Sequence, residues 1–431
     1  MAVDTTAAAP AASVLEALEG AAWRIPLSTR RLYRVLAAGV VAAILASSLA
    51  AAWVASRNAD TIADARQTGL QVASSATEFR TRLAAADAQA ASTLISGGLE
   101  DPDTRNSYVE NLEGASQALA TAALVATEDD RDDIESLATG LTEYSGLVET
   151  GRANSRQGFP VGATYLGQAR SLASDDLVPT AGHLRRVGEQ RVASAANSVG
   201  GPIGAIAVGV LVLALLALLA SAAVVAGRSR RLTHPALLAA TVAAVVALVV
   251  VTVGILAQSR ELRAAATTDI DDYVAANDAA LAVSTMRVDE ISAVASHGSG
   301  APLYDEVAES ARTVTDQLTR DSSQGPLVEA VERYAAAVEA VRATDLDDGD
   351  NQAAAASTLG EDDQDEATSA EAFRAADAAA TEAVDDALGR LSTRFDAASD
   401  AEIHPLVPIA LGVIAAALAG AGTIARARRY R

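Results

Sequence analysis

The sequence predicts an all-α membrane protein with four transmembrane helices and two extracytoplasmic four-helix-bundle domains in tandem, an internal duplication. Three observations lead there. Half of the 431 residues are hydrophobic while aromatics make up only 3%, so the apolar mass is mostly alanine, leucine and valine, and helix is favoured over strand. Four stretches are apolar and charge-free over the roughly 20 residues that a helix needs to cross a hydrocarbon core of about 30 Å. The sign of the net charge changes at each of these stretches.

The spans are expected at 35–55, 203–226, 236–257 and 405–425. The first could be mistaken for a secretory signal, because Ala50, Ala51 and Ala52 offer small residues for cleavage. It is longer than a signal core and follows a 34-residue leader, so a retained anchor is expected. Arginine placement sets the orientation. Arg24, Arg30, Arg31 and Arg34 precede the first span, Arg228, Arg230 and Arg231 join the second to the third, and Arg426, Arg428, Arg429 and Arg431 follow the fourth. By the positive-inside rule these segments are cytoplasmic, and Trp23, Tyr33 and Trp53 sit where interfacial aromatics belong. The cytoplasmic pieces then carry a net +8, residues 56–199 carry −8 and residues 258–403 carry −22.

The resulting layout is a leader at 1–34, a first bundle at 56–202, an arginine-rich hairpin at 227–235, a second and more acidic bundle at 258–404, and a tail at 426–431. Both outer domains begin as the direct continuation of a span. Each has Ser-Arg just past the membrane (Ser56-Arg57 and Ser259-Arg260), then a helix of about 60 Å ending at glycines, Gly97 and Gly98 or Gly298 and Gly300. Asp101-Pro102 and Ala301-Pro302 open a second helix, and a third carries Tyr144 and Arg152, matched by Tyr334 and Arg342. A loop and a returning helix complete each half. The loops differ: "GRANSRQGFPVGATYL" against the acidic "DLDDGDNQAAAASTLGEDDQDEATS". Asp345, Asp347, Asp348 and Asp350 invite a calcium reading, but Gly349 is out of register with an EF-hand, and a solvated acidic loop is expected.

Several chemistries are excluded. The chain has no cysteine and no lysine, which removes disulfides, thiolate metal sites, Schiff bases and the P-loop lysine. A net charge of −22 opposes nucleic-acid binding. His183, His234, His297 and His404 never fall at metal-ligand spacing, and no nucleophile elbow, dinucleotide fingerprint or kinase motif is present. No enzyme, cofactor or metal is therefore expected. The spans hold no ionisable residue, which argues against transport. They do carry small residues every four positions, Gly39, Ala43, Ser47 and Ala51 in the first and Gly412, Ala416 and Gly420 in the fourth, which suit close helix packing.

A membrane-tethered helical domain that continues into spans suits a receptor, with a scaffold of the envelope as the alternative. Output from so small a cytoplasmic portion must pass to another protein; Val14, Leu15, Leu18 and Trp23 form a short amphipathic stretch that either lies on lipid or docks an effector. Arg80 and Arg82, midway along the first outer helix, are candidates for holding a carboxylate ligand, with ordinary ion pairing as the competing reading. The order of spans and domains, with "EYSGLVETGRANSRQGFPVGATYLGQA" and "GRSRRLTHPALL", resembles the GlnX-type membrane proteins of actinobacteria. The outer domains resemble the four-helix-bundle sensor modules of chemoreceptors. The GlnX resemblance implies a relay in which an extracytoplasmic solute-binding lipoprotein binds aspartate, glutamate or asparagine, this protein senses it, and a cytosolic Ser/Thr protein kinase of the protein kinase G type responds. It carries over no catalytic residue. The sequence does not set oligomeric state, and a homo-oligomer is compatible with it.

Overall fold

The computed structural model describes residues 29–96, 101–157, 159–199, 201–229, 235–319, 324–360 and 368–429. Among the described residues there is helix and no strand. The leader to residue 28, Arg230, Arg231 and His234 lie outside them, as do the side chains of Arg30, Arg31, Arg228, Arg426, Arg428 and Arg429; Arg34 is exposed.

The first half contains α1 (Thr29–Asp64), a π-helical turn at Ala65–Leu70, α2 (Gln71–Ala91), α3 (Pro102–Val125), α4 (Arg131–Arg156), α5 (Val161–Ser171), a second π-helical turn at Leu172–Leu177, and α6 (Val178–Ser198). Then come α7 (Pro202–Ser229) and α8 (Pro235–Ala264). The second half follows with a π-helical turn at Ala265–Asp269, α9 (Ile270–Ala295), α10 (Ala301–Leu318), α11 (Gly325–Arg342), α12 (Asn351–Leu359), α13 (Ser369–Asp400) and finally α14 (Leu406–Arg429). Prolines stand in the first turn of α3, α10 and α11, where a missing N–H costs nothing and the fixed φ suits the helix.

The chain divides into two compact units. One gathers the described residues up to Thr61, Asn197–Arg260 and those from Ala397 onward; the other gathers Ile62–Ala196 and Glu261–Asp396.

In the first unit, four helical runs contain windows long and apolar enough to cross a membrane, within Arg34–Leu94, Val161–Val224, Pro235–Ala295 and Leu406–Ile424. Val40 and Ile44 of α1, Leu218 of α7, Leu237 and Ala240 of α8 and Ala415, Ala416 and Ala419 of α14 share one buried cluster. Large apolar side chains such as Trp53, Leu213, Leu216, Val242 and Val249 face outward, the inverse of a water-soluble surface. Of the two small-residue stripes, Gly412 and Ala416 are at a contact: a Cβ on Gly412 would run into the Ser48 side chain. In the first stripe Gly39 meets nothing, while Ser47 and Ala51 are buried together with Val40, Ile44 and Ser48 of α1.

In the second unit, one core draws Phe79 and Leu83 from α2, Tyr108 from α3, Leu137 and Tyr144 from α4, and Leu166 to Leu184 from the run through α5 and α6. The other draws Val283 and Met286 from α9, Tyr304 from α10, Tyr334 from α11, Ala354 from α12 and Phe373 from α13. The halves meet along α2 and α9, where Ala88, Ala91, Val288 and Ile291 form a small apolar seam. Ion pairs from Arg66 to Asp396 (2.6 Å) and Arg80 to Asp278 (3.4 Å) also cross it.

Both segments expected to be loops are largely helical. In the first half α4 extends to Arg156 and α5 begins at Val161, because Gly151 and Gly162 face each other across a tight hairpin. A Cβ on Gly162 would lie 2.8 Å from the Gly151 carbonyl oxygen. In the second half the acidic stretch takes in the end of a π-helical turn at Ala343–Asp347 and all of α12. Asp345 is buried, accepting hydrogen bonds from the Tyr304 hydroxyl at 3.1 Å and the Asn351 amide at 2.9 Å, and Asp350 caps α12 through the Ala353 N–H at 3.0 Å. Both acids hold local structure, but only Asp345 departs from the solvated-loop expectation; Asp347, Asp348 and Asp350 are exposed, and 361–367 lie outside the described residues.

Candidate ligand site

Asp87 is set on the long helix α2, on the face turned toward α4, α5 and α9. The Tyr144 hydroxyl donates to its Oδ1 at 3.1 Å. Beside the carboxyl lies a cavity of about 310 Å³, at the lower end of the range that holds small molecules. Ala90, Ala91, Leu94, Val148, Leu166 and Val288 supply an apolar wall, Ala163 and Gly167 are exposed at its mouth, and Arg170, Ser292 and Ser296 add polarity. Burial pushes the Asp87 carboxyl up to about 6, raised further by the Asp289 charge, with the Arg170 guanidinium and the Tyr144 hydrogen bond pulling it down. Arg170 itself is engaged across the seam, donating to the Asp289 carboxylate and, at 2.9 Å, to the Ser292 hydroxyl.

The second half has the same device in another state. Ser56 and Ser259 differ by 203 positions, and the same interval carries Asp87 onto Glu290 of α9. Glu290 is fully buried and accepts hydrogen bonds from Arg287 (2.7 Å), the Tyr334 hydroxyl (2.7 Å), Thr358 (3.2 Å) and Ser369 (2.5 Å). Arg287 also donates to the Thr358 carbonyl and stands 5.1 Å from the Phe373 ring centroid. Its counterpart in the first half is Ala84. Glu290 is thus closed in by an internal guanidinium and hydroxyls, whereas a cavity lies beside Asp87.

Arg80 and Arg82 do not converge on one point. The Arg80 side chain is mostly buried against Asp278, with Arg185 and Arg186 nearby, and burial together with those like charges pulls its pKa down. Its Nε has no hydrogen-bond acceptor among the described residues. Arg82 is half-exposed and turns the other way, to Glu78 at 3.7 Å and Asn111 at 3.5 Å. The Tyr144–Arg152 and Tyr334–Arg342 match holds for the tyrosines, both fully buried on corresponding carboxylates. It fails for the arginines: Arg152 is 1% exposed and lies 4.0 Å from the Tyr108 ring centroid, whereas Arg342 is 37% exposed and pairs with Glu339 at 3.2 Å. Sequence reasoning missed Asp87 and Glu290, although each stands 31 positions after the serine that marks its half. Among the described residues no group of three or more His, Asp or Glu is placed to hold a metal ion.

No curated protein and no solved structure matches the chain. Residues 58–197, the stretch that holds Asp87, Tyr144 and Arg170, match the family model of the actinobacterial sensor domain.

Proposed function

We propose that the protein is a non-enzymatic transmembrane signalling receptor whose first outer domain is its sensing module and whose second is a structural partner. The observation that carries this reading is the coincidence of the sensor-domain match with the half whose carboxylate opens on a cavity. Each half is taken as a four-helix bundle between two spans, with both termini and the arginine-rich hairpin cytoplasmic and both outer domains extracytoplasmic. The helix Thr29–Asp64, the π-helical turn Ala65–Leu70 and the helix Gln71–Ala91 follow one another in sequence, linking the apolar stretch to the helix that carries Asp87. A receptor of this kind shifts between two states. Moving such an equilibrium from 1:99 to 99:1 takes about 5.5 kcal/mol of differential binding.

The signal proposed is extracellular aspartate or glutamate availability, delivered through a solute-binding lipoprotein and passed to a cytosolic Ser/Thr protein kinase. The GlnX resemblance supports this chain of partners. The test is affinity capture of the full-length protein in mild detergent, with and without added aspartate or glutamate, followed by mass spectrometry. A lipoprotein and a soluble kinase whose yields change with the amino acid are expected. Recovery of cell-wall proteins alone, indifferent to amino acid, would replace the receptor with an envelope scaffold.

A further inference from the structure

We propose that the Asp87 cavity is a direct binding site for a small amphiphilic organic ammonium, an amine carrying an apolar group, with the Asp87 carboxylate as its counter-ion. The inference rests on reading the first half as the sensing module and adds an input separate from the lipoprotein.

The charges decide the class. Among the described residues, three ionisable side chains other than tyrosine line the cavity or act on Asp87: Asp87, Arg170 and Asp289. Arg170 is committed to Asp289 and to the Ser292 hydroxyl, so it presents no free fork for a ligand carboxylate, though its charge still favours the Asp87 carboxylate. Among the described residues Asp87 accepts one hydrogen bond, from the Tyr144 hydroxyl, and the three charges sum to one net negative beside an apolar wall. Burying an unpaired carboxylate is costly, and a cation that enters relieves that cost. The second half shows what completes such a site, because there the chain places its own cation, Arg287, against Glu290 and an aromatic ring. An ammonium with an apolar body would do for Asp87 what Arg287 and Phe373 do for Glu290. The wall of Ala90, Leu94, Val148, Leu166 and Val288 is suited to an apolar body and offers nothing to a strongly hydrated metal ion.

The test is calorimetric titration of the full chain in detergent with three probes that share a phenyl group and differ in charge: 2-phenylethylamine, phenylalanine and 3-phenylpropionate. The amine is expected to bind best and the anion worst. Asp87→Asn, which keeps an acceptor for Tyr144, should weaken the amine about tenfold to hundredfold, the scale of one lost charge-assisted contact. Gly167→Leu leaves every charge in place and puts a side chain at the mouth, where a Cβ meets nothing within 4 Å, so the fold is retained while the amine is excluded. Preference for phenylalanine or phenylpropionate would overturn the ammonium assignment while leaving a sensing cavity intact. Amine binding that both variants preserve, or no binding by any probe, would also overturn it. The receptor reading is judged separately by the amino-acid dependence of partner capture.

Discussion

The two halves of the second unit each place a carboxylate 31 positions after the serine of a Ser-Arg pair, each hold it with a buried tyrosine, and then part company. Glu290 is sealed by Arg287, Thr358 and Ser369, while Asp87 faces a cavity. Two of the sealing groups come from the end of α12 and the start of α13, so the segment that distinguishes the halves in sequence also closes the second one. A few local additions, an arginine and two hydroxyls, are enough to turn a carboxylate beside a cavity into one closed within a core.

The comparison is broken most severely by removing the sealed acid. Glu290→Ala strands Arg287 in a dry core and is expected to cost about 3–5 kcal/mol, seen as a large loss in thermal unfolding followed by circular dichroism. A loss below about 1 kcal/mol would mean that the second half is not closed by charge pairing. Gly162→Ala comes next. The added Cβ meets the Gly151 carbonyl oxygen at 2.8 Å, so α4 and α5 must separate; about 1–3 kcal/mol is expected, and Gly167→Ala in the same helix, with open space around it, serves as the control.

Asp87→Asn should act in the opposite direction at neutral pH. Because the folded carboxyl titrates near 6, above its unfolded value, the stability associated with its neutral form is present below about pH 4 and is lost as pH rises through 6. The groups facing it are Tyr144 from α4, Arg170 from α5 and Asp289 from α9. The variant should therefore be more stable than the natural protein by about 1–2 kcal/mol at pH 7, allowing for solvent access through the mouth, and equal to it at pH 4. Unfolding midpoints measured across that interval decide it; parallel pH profiles would mean that Asp87 is not held in its neutral form. The smallest effect belongs to the start of α3, where Asp101 accepts from the Thr104 N–H at 3.1 Å. Asp101→Ala should cost about 1 kcal/mol. The second half cannot use the same cap, because a Cβ on Gly300 would sit 2.5 Å from the Ala293 carbonyl oxygen.

Much of the framework was legible. Apolar windows, proline starts and the paired Ser-Arg marks depend on composition and spacing, and they fall where single residues have one dominant physical preference. Tyr144 and Tyr334 were legible as a pair for the same reason. Their carboxylate partners were not, since an acid in an alanine-rich amphipathic helix reads as solvated face until another helix covers it. Arg80 and Arg82 looked alike two positions apart, yet a helix turns about 200° over two residues, and so they serve different neighbours. The hairpin at Gly151 and Gly162 was misread as a loop because glycine signals flexibility in isolation and close approach only when its counterpart is known.

Joining both halves in one polypeptide has a consequence for how a dose would be read. Two identical chains paired about a twofold axis offer equivalent openings whose occupancies can interfere, giving curves steeper or shallower than simple saturation. Here one position is plugged by the chain itself and its twin is open, so titration of a single chain should follow a plain hyperbola with a Hill slope of about 1. For the proposed site, such a response would be graded, spanning about two decades of concentration rather than switching at a threshold.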